Sequence, residues 1–130
     1  MSVEQILQPY CYAALVTIIA ISLYGIVRGA SLTKKLIALT IFGDTANALM
    51  IYVGYRFGEE VFAPVMPTFE PSPSEIAWFV STAVDPVPQC LVITAIVINM
   101  AITMFLAFLI IQAYRLYGTV SVKKIAKLRG

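Results

Sequence analysis

Histidine is absent from this 130-residue chain, and cysteine occurs twice, at Cys11 and Cys90. Without histidine, both the commonest general base and the commonest metal ligand are missing. The two cysteines stand far apart and form no CxxC pair, so neither a metal centre nor any other bound cofactor is expected of this chain alone. Each falls inside an apolar run and reads as a small buried hydrophobe with a free thiol. Charge is scarce as well. Only 12% of residues are charged, about half of what a soluble domain uses to face water. The formal net charge of +2 excludes a strongly basic nucleic-acid binder, and the long aliphatic runs exclude a disordered chain.

What is present is apolar: 60% hydrophobic residues and a mean hydropathy of +0.88. That composition defines a membrane protein. A helix needs about 20 mostly apolar residues to cross a bilayer core, and three stretches qualify, at about 10–27, 36–55 and 89–114. The fold class expected is an all-α membrane protein, a single membrane domain of three transmembrane helices. The first run carries no charge before Arg28 and lacks a small-residue cleavage site, so it reads as a true span rather than a signal peptide.

Between the second and third runs, at 56–88, lie six of the seven prolines: Pro64, Pro67, Pro71, Pro73, Pro86 and Pro88. Proline at that density breaks helices, and broken backbone is tolerated only outside lipid or under protein cover. Within this loop, 76–80 with Trp78 and Phe79 suggests a short interfacial helix. Asp85 suits an N-cap and Pro86 a first helical position, where its missing N–H loses nothing.

Loop charges give the orientation, since lysine and arginine collect on the cytoplasmic side. The first link has Arg28, Lys34 and Lys35 with no acid; the tail at 115–130 has Arg115, Lys123, Lys124, Lys127 and Arg129 with no acid. The proline-rich loop has Arg56 against Glu59, Glu60, Glu70, Glu75 and Asp85. The N-terminus and that loop are therefore expected outside, and the basic tail in the cytoplasm of a prokaryotic cell.

Polar residues inside spans are rare enough to weigh one by one. In the second run Thr40, Gly43, Asp44 and Asn47 recur every three or four residues and share a helical face, which Gly54 continues. Such a face suits close helix packing, while an acid at mid-span suits an ion or proton relay; both readings of Asp44 stand. In the third run Ala95, Asn99, Thr103 and Ala107 form a small and polar stripe, with packing the favoured role. Gly25 and Gly29 have GxxxG spacing, but Gly29 lies at the membrane edge and supports no dimerisation claim.

The run Asp85-Pro86-Val87-Pro88-Gln89-Cys90-Leu91-Val92-Ile93-Thr94-Ala95-Ile96-Val97-Ile98 resembles the D-P-L-P-Q-A-L-[VI]-L-T-A-I-V-I signature of the NuoK-like family. The likeness is to the MrpC component of Mrp-type sodium/proton antiporters and its counterparts in energy-converting membrane-bound hydrogenases. The stretch 41–49, which contains Gly43, Asp44 and Asn47, is similar to the family's second span. The resemblance implies a small non-catalytic subunit of a multisubunit cation- or proton-translocating complex, antiporter or sulfur-reducing relative included, with other membrane subunits as partners. Asp44, Thr40, Asn47, Asn99 and Thr103 are the candidate ion-path or interhelical residues, and Asp85, Pro86, Pro88, Gln89 and Thr94 carry the motif. The complex I branch of that family has acids in the second and third spans. Here the second-span position falls at Thr40 and the third span has no acid, so that branch is disfavoured and a relay would rest on Asp44.

Two other functions compete with this reading. A stand-alone four-helix multidrug transporter needs an even number of spans and an acid in the first, and this chain has neither. An assembly subunit that conducts no ions would carry the same packing stripes.

Overall fold

The structure is a computed structural model that describes residues 3–55 and 60–127. Arg56, Glu59 and Arg129, which contribute to the loop charges, lie outside the described residues. Among the described residues five helices follow in order: α1 (Val3–Arg28), α2 (Leu32–Val53), α3 (Pro73–Thr82), α4 (Pro86–Tyr117) and α5 (Val122–Lys127). Three of them, α1 from Ile6, α2 and α4, are long and apolar enough to cross a membrane.

Apart from the end of α2, which stops at Val53 rather than 55, the helices overrun the apolar stretches, because caps rather than hydropathy decide where a helix ends. α1 begins before residue 10 and carries Pro9 in its second turn. α2 starts at Leu32 because the Ser31 hydroxyl accepts from Lys34 N–H at 3.3 Å, which draws both lysines into its first turn. α4 opens as the sequence indicates: Asp85 Oδ1 accepts from Val87 N–H at 3.0 Å and Pro86 takes the first position. Its 32 residues make a rod about 48 Å long, longer than a bilayer core about 30 Å thick, so it tilts or projects. It stops at Gly118, whose φ of 65° is the left-handed conformation that glycine adopts without strain.

The short helix expected at 76–80 is longer, Pro73–Thr82, and a capping box explains why. Ser72 N–H donates to Glu75 Oε2 at 2.7 Å while Glu75 N–H donates to Ser72 Oγ at 3.4 Å. The Ser72 backbone N–H, followed by the Ser72 hydroxyl, holds the Glu75 carboxyl below its ordinary range. α5, in the basic tail, has no counterpart among the helices expected from hydropathy.

α2 is the centre of the bundle, because its main contacts are with α1 on one side and α4 on the other. Helical periodicity separates the two faces. Ala38, Thr45 and Tyr52, seven residues apart, lie along the α1 side, whereas Gly43 and Gly54 lie along the α4 side. Close approach is built from small residues on both. A Cβ added to Gly25 of α1 would sit 2.9 Å from Ala38 Cβ, and one added to Gly54 would sit 2.5 Å from Pro88 Cγ of α4.

Both ends of the bundle are tied. At the basic end, the two links pair as an isolated antiparallel bridge between Ser31 and Ser121. Leu32 N–H donates to Val120 O at 3.0 Å and Val122 N–H to Ala30 O at 3.1 Å. Lys35 Nζ donates to Ile26 O at 2.7 Å and Val27 O at 3.1 Å, occupying carbonyls that the end of α1 leaves open. At the proline-rich end, Phe62 pairs with the chain just before α4: its N–H donates to Thr82 O and its carbonyl accepts from Val84 N–H, each at 3.1 Å. Its ring packs on Trp78 with centroids 5.2 Å apart.

At the same end, Tyr52 Oη donates to Gln8 O at 2.6 Å, joining α2 to α1. Tyr52→Phe is expected to weaken this junction by about 0.6 kcal/mol, the average for hydrogen bonds between membrane helices. Amide exchange around residues 8–12 should then quicken by about threefold, with the middle of α2 unchanged; unaltered exchange would show the hydroxyl to be idle.

A row of three helices offers only two interfaces, so little is buried. Among the described residues Ser22, Ala38, Thr45, Thr82, Val84 and Val92 are buried, none of them large, while side chains such as Ile21, Ile93 and Phe105 point outward. Cys11 and Cys90 belong with the latter. Both are free and exposed on the bundle, which corrects the expectation that they are buried, because an apolar run in a membrane helix does not tell its lipid or partner side from its packed side.

Candidate functional site at the α2–α4 contact

Polar residues of α2 and α4 meet at one place. Asn99 Nδ2 of α4 donates to Asp44 Oδ1 of α2 at 3.2 Å, 55 residues apart in sequence. Gly43 makes this possible: a Cβ there would lie 2.5 Å from Asn99 Nδ2 and 2.8 Å from its Cγ and Oδ1. The glycine thus admits the amide, and the amide reaches the acid beside it.

Asp44 is otherwise exposed on the surface of the bundle. It sits on the edge of the α4-facing side, so one oxygen is engaged within the chain while the carboxylate remains open to whatever lies alongside. Among the described residues the basic side chains sit at the ends of the long helices and in the short helix α5. A carboxylate at mid-span costs about 2.5–3.5 kcal/mol when lipid-facing, and one amide hydrogen bond does not remove that cost. The arrangement therefore calls for protein or water next to Asp44.

The remaining candidates fall around this pair. Thr40 is half-buried one turn away, with its hydroxyl donating to Leu36 O at 3.1 Å within its own helix. Asn47, one turn to the other side, and Thr103, one turn beyond Asn99, are half-buried too, as are Ala95 and Ala107. The small and polar stripe of α4 is therefore the side turned to α2. Of the motif residues, Asp85 and Pro86 start α4, Pro88 lies under Gly54, Gln89 is half-buried and Thr94 is exposed. No group of three or more metal-ligating side chains occurs among the described residues.

Thr45 does not stand out in the sequence, yet it is buried at the α1–α2 contact, as is Ser22, one of the few polar residues of the first span. Ser22 Oγ donates to Ile19 O at 2.8 Å and Thr45 Oγ1 to Ile41 O at 2.7 Å. Each hydroxyl is satisfied by its own helix and presents only a small apolar surface to its neighbour. The seven-residue spacing of Ala38, Thr45 and Tyr52 is the signal that could have revealed Thr45.

Three membrane-length helices with polar groups gathered at helix contacts and broad apolar walls elsewhere define a multi-pass membrane subunit. The chain belongs to the NADH-ubiquinone/plastoquinone oxidoreductase chain 4L family, whose model matches residues 10–130. It is 33% identical over 104 residues to the C1 subunit of the Na(+)/H(+) antiporter of Staphylococcus saprophyticus, covering 80% of this chain and 79% of that protein. The C1 subunit of the Staphylococcus haemolyticus antiporter is 31% identical over 112 residues, covering 85% of this chain and 84% of the relative. Among solved structures, a chain of the membrane-bound sulfane sulfur reductase, an archaeal respiratory membrane complex, superposes with a TM-score of 0.68 at 35% identity, covering 86% of this chain and 93% of that one.

Proposed function

We propose that this chain lends Asp44 to the ion path of a multisubunit membrane complex and performs no redox or bond-making chemistry itself. The chain is a small multi-pass membrane subunit of an Mrp-type Na+/H+ antiporter or of a related prokaryotic respiratory complex. The observation that carries the ion-path reading is the Asp44–Asn99 pair, an acid at mid-span, held by an amide from the next helix and still open on the outer side. Thr40 and Asn47 flank it on the same face, where they extend a polar track along α2. An adjoining membrane partner covers that face and supplies a cation, a hydrogen-bond donor or a water chain.

A second reading, an assembly subunit that conducts nothing, draws on the tight fit of Gly43 against Asn99, which is a packing feature in its own right. Ion flux through the assembled complex carrying Asp44→Asn separates the two. Reduced flux supports the path, and unchanged flux leaves packing as the role of the pair.

The orientation that suits this role has the N-terminus and the proline-rich segment outside and the basic links inside. The Ser31–Ser121 bridge supports it, since it joins the two acid-free basic segments at one end of the bundle. In intact cells, Lys127→Cys should resist an impermeant thiol reagent and react once the membrane is opened. Labelling from outside would reverse the orientation.

A further inference from the structure

A groove of about 350 Å³ runs along the α1–α2 contact towards the basic end. Ile18, Ile21, Ile37 and Ile41 wall it, Ser22 and Ala38 form its floor, and Lys34 stands at its mouth. Ile21 and Ile37 are more than half exposed, at 64% and 56%, so the groove opens sideways into the surroundings of the bundle.

The two adjacent lysines differ in what they do. The Lys35 ammonium is taken up by the carbonyls of Ile26 and Val27. That of Lys34 is exposed, and no hydrogen bond or ion pair engages it among the described residues. Its surroundings are basic. Arg28 ends α1, and the Ser31–Ser121 bridge brings the link of Lys123 and Lys124 to the same end. No acid occurs in 28–35 or 115–127.

We propose that this groove holds an acyl chain of an anionic phospholipid, with the phosphate against Lys34. The apolar walls match the chain and the unpaired ammonium matches the phosphate.

Photocrosslinking tests this on the full complex. Ile21 is replaced by p-benzoyl-phenylalanine, and the complex is placed in nanodiscs of equal phosphatidylglycerol and phosphatidylcholine, irradiated and weighed. The expected result is a lipid adduct on this chain, with phosphatidylglycerol favoured by about fivefold, corresponding to the ~1 kcal/mol that a near-surface lysine contributes. Lys34→Gln should bring the ratio close to one, and Lys34→Arg should restore it. A crosslink to another protein of the complex, equal capture of both lipids by the wild-type sequence at residue 34, or a preference that survives Lys34→Gln would each overturn the proposal. Both lipids occupy both leaflets and no transport is measured, so the outcome is independent of the orientation and of the role of Asp44.

Discussion

A complex assembled with Asp44→Asn is expected to translocate ions about 100-fold more slowly than the unaltered complex, the low end of what a positioned proton-transfer group supplies. Its subunits should still co-purify. Asparagine nearly keeps the size of aspartate and can accept the hydrogen bond from Asn99, now 3.2 Å long, through its own amide oxygen. What it cannot do is carry charge or exchange a proton. It also relieves α2 of the insertion cost of a mid-span acid, so impaired assembly is not the expected outcome. Flux measured on intact complex in vesicles, normalised to the amount of assembled protein, reads the effect.

Gly54→Leu should act differently, by separating helices. A Cβ at that position already falls 2.5 Å from Pro88 Cγ and 2.9 Å from its Cβ, and a proline ring in the first turn of α4 cannot swing aside. The ends of α2 and α4 must part, at an overpacking cost of about 1–3 kcal/mol. The expected results are a lower midpoint of thermal inactivation and less complex recovered, with residual complex transporting normally. Gly43 offers the contrast. The same added atom there meets the end of an Asn99 side chain, which can rotate away, so the cost is smaller but the bond to Asp44 is lost.

Most of the architecture is legible in the sequence because hydropathy and proline placement are one-dimensional signals. Asp85, Pro86 and the helix they launch follow from rules that involve only neighbours in sequence. Asp44 is visible for a similar reason, as an acid in an otherwise apolar run. Its partner is not. Asn99 reads as part of a packing stripe on its own helix, and only the register of α2 against α4 brings the two together. The same limit explains Cys11 and Cys90, whose exposure depends on which side of a helix faces a neighbour. It also explains Gly25, whose contact is Ala38 of α2. The ends of α2 and α3 escape hydropathy because Ser31 and the Ser72–Glu75 box are local polar signals that a search for apolar runs passes over.

That this chain works as one subunit among larger membrane partners is tested most directly by extraction in mild detergent followed by identification of what co-purifies. The chain should emerge bound to other membrane subunits of an antiporter or a related respiratory complex, and alone it should neither remain stable nor move ions. A stable, solitary protein that transports sodium or protons after reconstitution by itself would contradict the account.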